Sequence, residues 1–437
     1  MKDTTSSIEW IGDMPSDWEL KRLGFLFSFG KGLNITKEDL QDEGIPCVNY
    51  GEIHSRYGFE VNPSKNILRC VEKKYIKTDH NSLLNYGDFI FADTSEDIEG
   101  SGNFTYLNSD EKIFAGYHTI ILRARSKLNY RYIAYFFDSI LFRSQIRDKV
   151  GGIKVYSITK QILKNTKIIL PSPNEQSAIA AFLDTQCSKI DSIITELEQQ
   201  IEILKQYKTS LITETVTKGL NKNVPMKNNG INWIKNIPTH WEVKKIKYLF
   251  MIVCGSTPES NNTEYWDGNI PWITPADMPD FGIISKGERT ITKKGYNSCG
   301  TSIIPKDSII ISTRAPIGKV NITKAELCTN QGCKSLVSFN IYTKFYFYSL
   351  YAIKEELEIA GKGTTFIELG TFELGNLYVL LPSLSEQKAI AAFLDTKCKE
   401  ITDIITEKQQ SIETMKAYKK SLIYEYVTGK KRVKGYS

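Results

Sequence analysis

The chain repeats itself, and an internal repeat constrains a fold before any local signal does. Residues 175–217, EQSAIAAFLDTQCSKIDSIITELEQQIEILKQYKTSLITETVT, match residues 386–428, EQKAIAAFLDTKCKEITDIITEKQQSIETMKAYKKSLIYEYVT, without a gap and with 28 identities in 43 positions. A second echo lies upstream of each copy: IEWIGDMPSDWELKRLGFLF at 8–27 against INWIKNIPTHWEVKKIKYLF at 231–250. Trp10, Pro15, Trp18, Leu26 and Phe27 recur there as Trp233, Pro238, Trp241, Leu249 and Phe250. Between the matched pieces, residues 28–150 and 251–360 share little beyond GDFIFADT (87–94) against KDSIIIST (306–313). A duplicated chain has kept two parts alike and let two parts drift.

The repeated segment reads as a long helix. Ser172, Pro173 and Glu175 make a capping-box start with Ser172 as N-cap, and Ser383 with Glu386 repeats it. Lys218-Gly219 and Gly429-Lys430 are the stops. Inside, a stripe recurs at alternating spacings of four and three. The first copy runs Leu183, Cys187, Ile190, Ile194, Leu197, Ile201, Leu204, Lys208, Leu211, and the second Leu394, Cys398, Ile401, Ile405, Lys408, Ile412, Met415, Lys419, Leu422. Such a heptad seam requires a partner helix, and the nearest candidate is its own copy. Each helix leaves one variable domain, so the simplest pairing is an antiparallel coiled coil in a pseudo-twofold arrangement. With the crossing centred near Glu196 and Glu407, Lys208 is expected opposite the neighbourhood of Asp395, and Lys419 opposite Asp184.

The expected organisation is a first variable domain (1–171), a helix (172–220), a second variable domain (221–382), a second helix (383–428) and a basic tail (429–437). Each variable domain reads as mixed α/β (α+β or α/β), with short buried strands and few helices. KIIL (167–170) and YVLL (378–381) are expected as terminal strands, and 130–146 and 344–360 as helices with aromatic faces. Polar, basic and glycine-rich loops lie between, among them GKGLNITKED (30–39), HSRYGF (54–59), RDKVGGIKVYS (147–157), STRAPIGKV (312–320) and AGKGTTF (360–366).

Composition narrows the function classes. Hydrophobic residues make up 41% of the 437 and charged residues 24%, which excludes a disordered or collagenous chain. The net charge of +6 is too mild to demand nucleic acid by itself. No run of about 18 apolar residues predicts a membrane span, and MKDTTSSIEW has no apolar signal core. The eight cysteines form no CxxC pair, so reduced, mostly buried thiols in a cytoplasm are expected and no metal site. GxxxxGK[ST] is missing, GSGNF (100–104) breaks the dinucleotide fingerprint, and no Asn-Pro-Pro-aromatic or Asp-Pro-Pro-aromatic run of a base amino-methyltransferase occurs. His54, His80, His118 and His240 are scattered, and Asp280 with Glu288 is the nearest approach to a nuclease carboxylate pair. The residues point to recognition or scaffolding rather than catalysis.

At this point the chain resembles the specificity subunit of type I restriction–modification enzymes. The resemblance rests on IPTHWEVKKIKYLF (237–250), GSTPESNNTEYWDGNIPWITPADM (255–278), STRAPIGKV (312–320), TNQGCKSL (329–336) and LPSLSEQKAIAAFLDT (381–396), with MPSDWELKRLGFLF (14–27) and LPSPNEQSAIAAFLDT (170–185) in the first half. It covers the whole chain; the first domain departs from it with GIPCVNYGEI (44–53) where YWDGNIPW would fall. What it implies is a non-catalytic reader of double-stranded DNA, with two target recognition domains for the two halves of a split asymmetric site and a helical spacer that docks modification (methyltransferase) subunits, two copies expected. Restriction/translocase subunits would join through the complex. The chain itself would carry no cofactor; S-adenosylmethionine, ATP and Mg²⁺ would belong to partner subunits. On that reading the DNA-contact candidates are Lys31, Arg56, Tyr57 and Lys154 in the first domain and Arg314, Lys319, Lys362 and Thr364 in the second. Partner contacts are expected on exposed residues of 178–185 and 389–396, with Phe182 and Phe393 buried. Two rivals remain at this stage: a protein-binding adaptor, and a stand-alone nuclease.

Overall fold

Short apolar runs bounded by turn residues become the strands of mixed sheets in both halves of the chain. The computed structural model describes residues 5–8, 12–152, 155–231, 234–362 and 367–436; Trp10, Trp233, Lys154 and Thr364 lie outside the described residues. The chain divides into two compact units, Met1–Leu197 with Gln410–Ser437, and Glu198–Gln409.

In the first unit the central sheet consists of β1 (Phe27–Lys31), β2 (Phe59–Val61), β3 (Phe89–Ala92), β4 (Phe104–Leu107) and β5 (Thr119–Ala124), in the order β1-β5-β3-β4-β2. All neighbours are antiparallel except β4 and β2. The second unit has β6 (Phe250–Cys254), β7 (Phe281–Ile284), β8 (Ile309–Ser312), β9 (Val320–Thr323) and β10 (Cys333–Ser338), in the order β6-β10-β8-β9-β7, with β9 and β7 the parallel pair. The two variable domains therefore share one topology although their sequences diverged. Each also carries a three-stranded sheet: Ile45–Val48 between Phe114–Ala115 and Arg69–Val71, and Trp266–Ile273 between Cys328–Thr329 and Arg289–Ile291. KIIL and YVLL are strands, each antiparallel to the segment that follows Trp18 or Trp241, Glu19–Arg22 or Glu242–Lys245.

Several sequence expectations need correction. GDFIFADT and KDSIIIST are equivalent one residue out of the expected alignment. Gly87 and Asp307, both with positive φ, occupy the same turn, and Asp88 matches Ser308. Both runs are buried on both faces, so no alternation marks the register. The aromatic helices are also each broken in two. Tyr130–Asp138 and Ile140–Arg147 meet at Ser139, whose side chain accepts from Phe142 N; Thr343–Ala352 and Lys354–Ile359 meet at Ile353.

The third correction concerns the seam of the long helices, Pro173–Lys218 and Leu384–Val427. Every seam position is buried or half-buried. The helices run antiparallel within each unit, but one heptad away from the expected register. In the first unit Lys419 Nζ donates to both Asp191 carboxylate oxygens at 2.7 Å, and in the second Lys208 Nζ donates to Thr402 Oγ1 at 3.0 Å. Asp191 and Thr402 stand seven residues beyond Asp184 and Asp395. An apolar pattern looks the same after a shift of seven. The choice falls to Asp184 and Asp395, which are already engaged by their own domains. Asp184 Oδ1 accepts from Arg131 Nε and Tyr135 hydroxyl, both at 2.6 Å, and Asp395 accepts from Lys344 Nζ at 2.5 Å and Tyr348 hydroxyl at 2.8 Å.

The rest of the repeat is explained by how each helix start is held. Trp18 Nε1 donates to Glu175 at 3.1 Å, and Trp241 Nε1 to Glu386 at 3.1 Å. Gln176 and Gln387 each donate to the carbonyl of the preceding proline, Pro171 or Pro382, at 2.9 Å. The stop glycines Gly219 and Gly429 have φ of 76° and 74°, a left-handed conformation that favours glycine at this position. A Cβ there would also press on Trp241 or on Pro15 and Trp18. Each tryptophan thus sits between one helix's start and the other helix's stop. The expected capping box is complete only in the second copy, where Glu386 turns back to the Ser383 backbone and hydroxyl. In the first copy Glu175 N donates to Ser172 Oγ, but the carboxylate is taken by Trp18 and by Arg432 of the tail.

Candidate nucleic-acid interface

Loops that lie far apart in sequence converge at the carboxyl ends of β3 and β8. In the first domain Asp93 N donates to His118 O at 3.0 Å, Ile158 N to Asp93 O at 2.8 Å, Leu33 N to Ala115 O at 2.9 Å and Gly116 N to Val48 O at 2.7 Å. The second domain repeats each bond: Thr313 N to Gly332 O at 2.8 Å, Leu369 N to Thr313 O at 2.9 Å, Ser256 N to Thr329 O at 3.0 Å and Asn330 N to Ile273 O at 2.9 Å. Gly32 and Gly255 are required by this frame, since a Cβ would lie about 2 Å from the Gly116 or Asn330 carbonyl oxygen. Even the capped turns agree. Asn49 N donates to Glu52 at 3.0 Å and Thr274 N to Asp277 at 2.8 Å. Burial raises the Glu52 carboxyl. At Asp277 burial works the same way but is outweighed by hydrogen bonds from Thr274 and Glu288, which lower it.

One backbone frame therefore presents different side chains at matched positions: Thr94 and Arg314, Tyr117 and Gln331, His118 and Gly332, Ser157 and Glu368. In the first domain Tyr117 lies edge-on to Tyr50, which also contacts His118 and His54. His118 Nδ1 lies 3.2 Å from Asp93 Oδ1. His54 is fixed between Thr94 O and Asn103, both at 2.8 Å, and a cavity of about 640 Å³ opens beside it. In the second domain Arg314 Nε donates to Glu368 at 3.1 Å, and the buried Lys334 reaches Glu368 at 3.5 Å and donates to Leu369 O at 2.8 Å. Thr257 hydroxyl donates to Gln331 Oε1 at 2.5 Å.

Of the DNA-contact candidates, Arg314 is on this frame. Lys362 stands beside it through its bridge to Glu368, with its ammonium 3.0 Å from Glu373, whose carboxyl it holds low. Lys31 is exposed at the end of β1, and Arg56 is exposed at the end of the Tyr50–Ser55 helix. Two candidates have structural work instead. Tyr57 is buried and its hydroxyl donates to Ile67 O, and Lys319 Nζ donates to the Pro275 and Met278 carbonyls, both at 2.8 Å. Sequence reading passed over Tyr50, Thr94, Tyr117, His118, Thr257 and Gln331. The available signal was positional: TNQGCKSL and AGYHTI both precede a buried strand. Among the described residues no group of three or more His, Cys, Asp or Glu side chains is placed to hold a metal. Asp280 pairs with Lys354 at 2.6 Å.

The family model for the type I restriction modification DNA specificity domain matches residues 15–203 and 238–414. The chain belongs to this specificity family. The MjaX specificity subunit of Methanocaldococcus jannaschii is 28% identical over 434 residues, covering 97% of this chain and 96% of that one. The MjaIX type I specificity subunit of the same organism is 39% identical over 187 residues, 42% of each chain. Among solved structures, a chain of the type I R-M system studied for complex assembly and conformational transition has a TM-score of 0.73 at 17% identity, covering 95% of this chain and 99% of that one. The HsdS subunit from Thermoanaerobacter tengcongensis has a TM-score of 0.53 at 18% identity, covering 95% and 98%. These confirm the fold of a specificity subunit: paired mixed α/β domains, each carried by long antiparallel helices. Among the described residues no helix is long and apolar enough to cross a membrane.

Proposed function

We propose that this specificity subunit reads a split, asymmetric target in double-stranded DNA, one variable domain per half-site, and performs no chemistry itself. The observation that carries the reading is the shared backbone frame with unlike side chains, set on nearly identical helices. Unlike surfaces suit unlike half-sites, and like surfaces suit two copies of one partner. The partners are modification (methyltransferase) subunits, joined in the complex by restriction/translocase subunits. S-adenosylmethionine, ATP and Mg²⁺ serve those subunits. The recognition domains are residues 1–171 and 221–382, the spacer helices 172–220 and 383–428, and the basic tail 429–437. A cytoplasmic location fits eight free cysteines, six of them buried.

The docking surface for the modification subunits is narrower than the whole AIAAFLDT segment. Ile179, Leu183, Ile390 and Leu394 are buried in their own domains' cores. Phe182 is half-buried against Tyr426, with ring centroids 4.5 Å apart, and Phe393 is half-buried. Ala181 and Thr185, repeated as Ala392 and Thr396, remain outward, and such small residues permit close approach.

The test reads DNA binding and methylation with the assembled complex. Affinity for its own motif should fall with salt at a log–log slope near −0.9 per phosphate contact, and the methylated motif should have two parts that vanish from host DNA when this gene is deleted. A complex that shows no salt slope and no motif dependent on this chain would overturn the proposal.

A further inference from the structure

The specificity of each half-site is assigned here to particular side chains, an inference that rests on the DNA-reading proposal above. We propose that Tyr117 and His118 read base edges in the first half-site, and that Gln331 and Arg314 read them in the second. The main-chain bonds that set these positions are the same in the two domains, so the differences are confined to side chains on a fixed backbone. A preorganised reader needs that arrangement, because its donors and acceptors must keep their places while their chemistry changes.

Each side chain is oriented by a neighbour and keeps a functional edge outward. Glu368 holds Arg314 by its Nε, and among the described residues the terminal Nη pair has no partner; that fork matches guanine O6 and N7. Thr257 fixes the Gln331 amide through Oε1. Its amide NH₂ and the second Oε1 lone pair remain, the donor–acceptor set that matches adenine N7 and N6. Asp93 lies against His118 Nδ1 and favours the tautomer with the proton there. Nε2 is then an acceptor for an exocyclic amino group. His118 has a φ of 55°, and its side chain is 57% exposed. Tyr117, packed edge-on against Tyr50, offers a hydroxyl from a ring whose position is set. In the second domain the His118 position is Gly332, where a Cβ would crowd Pro275 at 3.0 Å; the second half-site is therefore read with one side chain fewer on this loop and with the arginine in its place.

The experiment assembles the full complex with wild-type, Gln331→Ala, His118→Ala or Tyr117→Phe specificity subunits and determines the methylated motif on random-sequence DNA. Gln331→Ala should relax one position of the second half-site by roughly 5- to 150-fold. His118→Ala and Tyr117→Phe should each relax a position of the first half-site only. The other half-site, the gap and the salt slope should be unchanged. Tyr117→Phe keeps the ring packing, so it reports on the hydroxyl even if His118→Ala disturbs the loop. An unchanged motif in Gln331→Ala and Tyr117→Phe, with the wild-type complex reading its own motif, would refute this assignment and leave the DNA-reading proposal standing. A wild-type complex that reads no motif would overturn both.

Discussion

Replacing Arg432 with alanine should loosen the first unit from its C-terminal end. The Glu175 side chain is 1% exposed, and its carboxylate accepts from Trp18 Nε1 at 3.1 Å and from Arg432 Nε and Nη2, both at 2.9 Å. Arg432 also spans to Asp17 at 2.8 Å. Hydrogen bonds to charged groups contribute about 1.5–3 kcal/mol each, and removing one partner of a fully buried pair costs about 3–5 kcal/mol. The arginine side chain is itself 26% exposed, so water can enter its place, and the expected loss is about 2–3 kcal/mol. Glu175→Gln should cost less, about 1–2 kcal/mol, because the amide oxygen keeps the Trp18 bond and no charge is stranded. The double variant should lose less than the sum, with a coupling of at least about 1 kcal/mol. The assay is urea unfolding of the full chain, fitted as two transitions because two units need not melt together. Hydrogen exchange over residues 12–27 and 429–436 assigns the loss to the first unit. A shift under about 0.5 kcal/mol for Arg432→Ala, or strict additivity of the pair, would refute the reasoning.

The second helix start should carry an acid-sensitive contribution through Glu386. Burial raises the Glu386 carboxyl, but hydrogen bonds from His240, Ser383 and Trp241 outweigh it and bring it from 4.5 to about 2. A depressed carboxyl stabilises above its unfolded value, so this contribution is full above about pH 4.5 and lost as pH falls toward 2; Glu386→Gln should flatten acid unfolding of the second unit in that window. The seam register predicts a coupling of about 0.3–1 kcal/mol between Lys419 and Asp191 in a double-mutant cycle and none between Lys419 and Asp184; the reverse outcome would restore the register one heptad away. Inserting one heptad after Gln199 and another after Gln410, the same place in each copy, preserves the seam phase and lengthens each helix by about 10 Å. The methylated motif should then keep both half-sites and gain about three base pairs of gap at ~3.4 Å each, whereas an active variant with the old gap would show that the helices do not set it.

The sequence carried the repeat, the long helices and their seam because identity and heptad spacing are both one-dimensional signals. Register was not legible. A shift of seven leaves every apolar seam residue in place, and only Arg131, Tyr135, Lys344 and Tyr348, which engage Asp184 and Asp395 from outside the helices, discriminate between the alternatives. In the strands FIFA and IIIS, buried on both faces, a slip of one is equally invisible. The candidate interface residues were hidden for a different reason. Lys319 looks like a phosphate contact in STRAPIGKV, yet the folded chain spends its ammonium on two carbonyls. Gln331 and Tyr117 look ordinary until main-chain bonds from distant segments bring their loops to the same place. Trp18 and Trp241 are visible in the sequence only as recurring residues; in the structure both are buried, and their indole N–H groups fix where each helix begins.

The division of the chain into units has a consequence for its synthesis. The second unit is one continuous stretch, Glu198–Gln409, whereas the first joins residues 1–197 to a segment made only after that stretch, Gln410–Ser437. Leu422, Ile423 and Val427 belong to the first unit's core, and Arg432 neutralises its buried carboxylate. On a ribosome moving from N- to C-terminus, the half that emerges first must therefore wait longest for its missing pieces, while the later half can close beforehand. Its contacts span most of the chain's length, and contacts so distant form slowly. A message cut short before Gln410 would yield a protein whose second unit is finished and whose first lacks Leu422, Ile423 and Val427 from its core, a state that chaperones and proteases recognise.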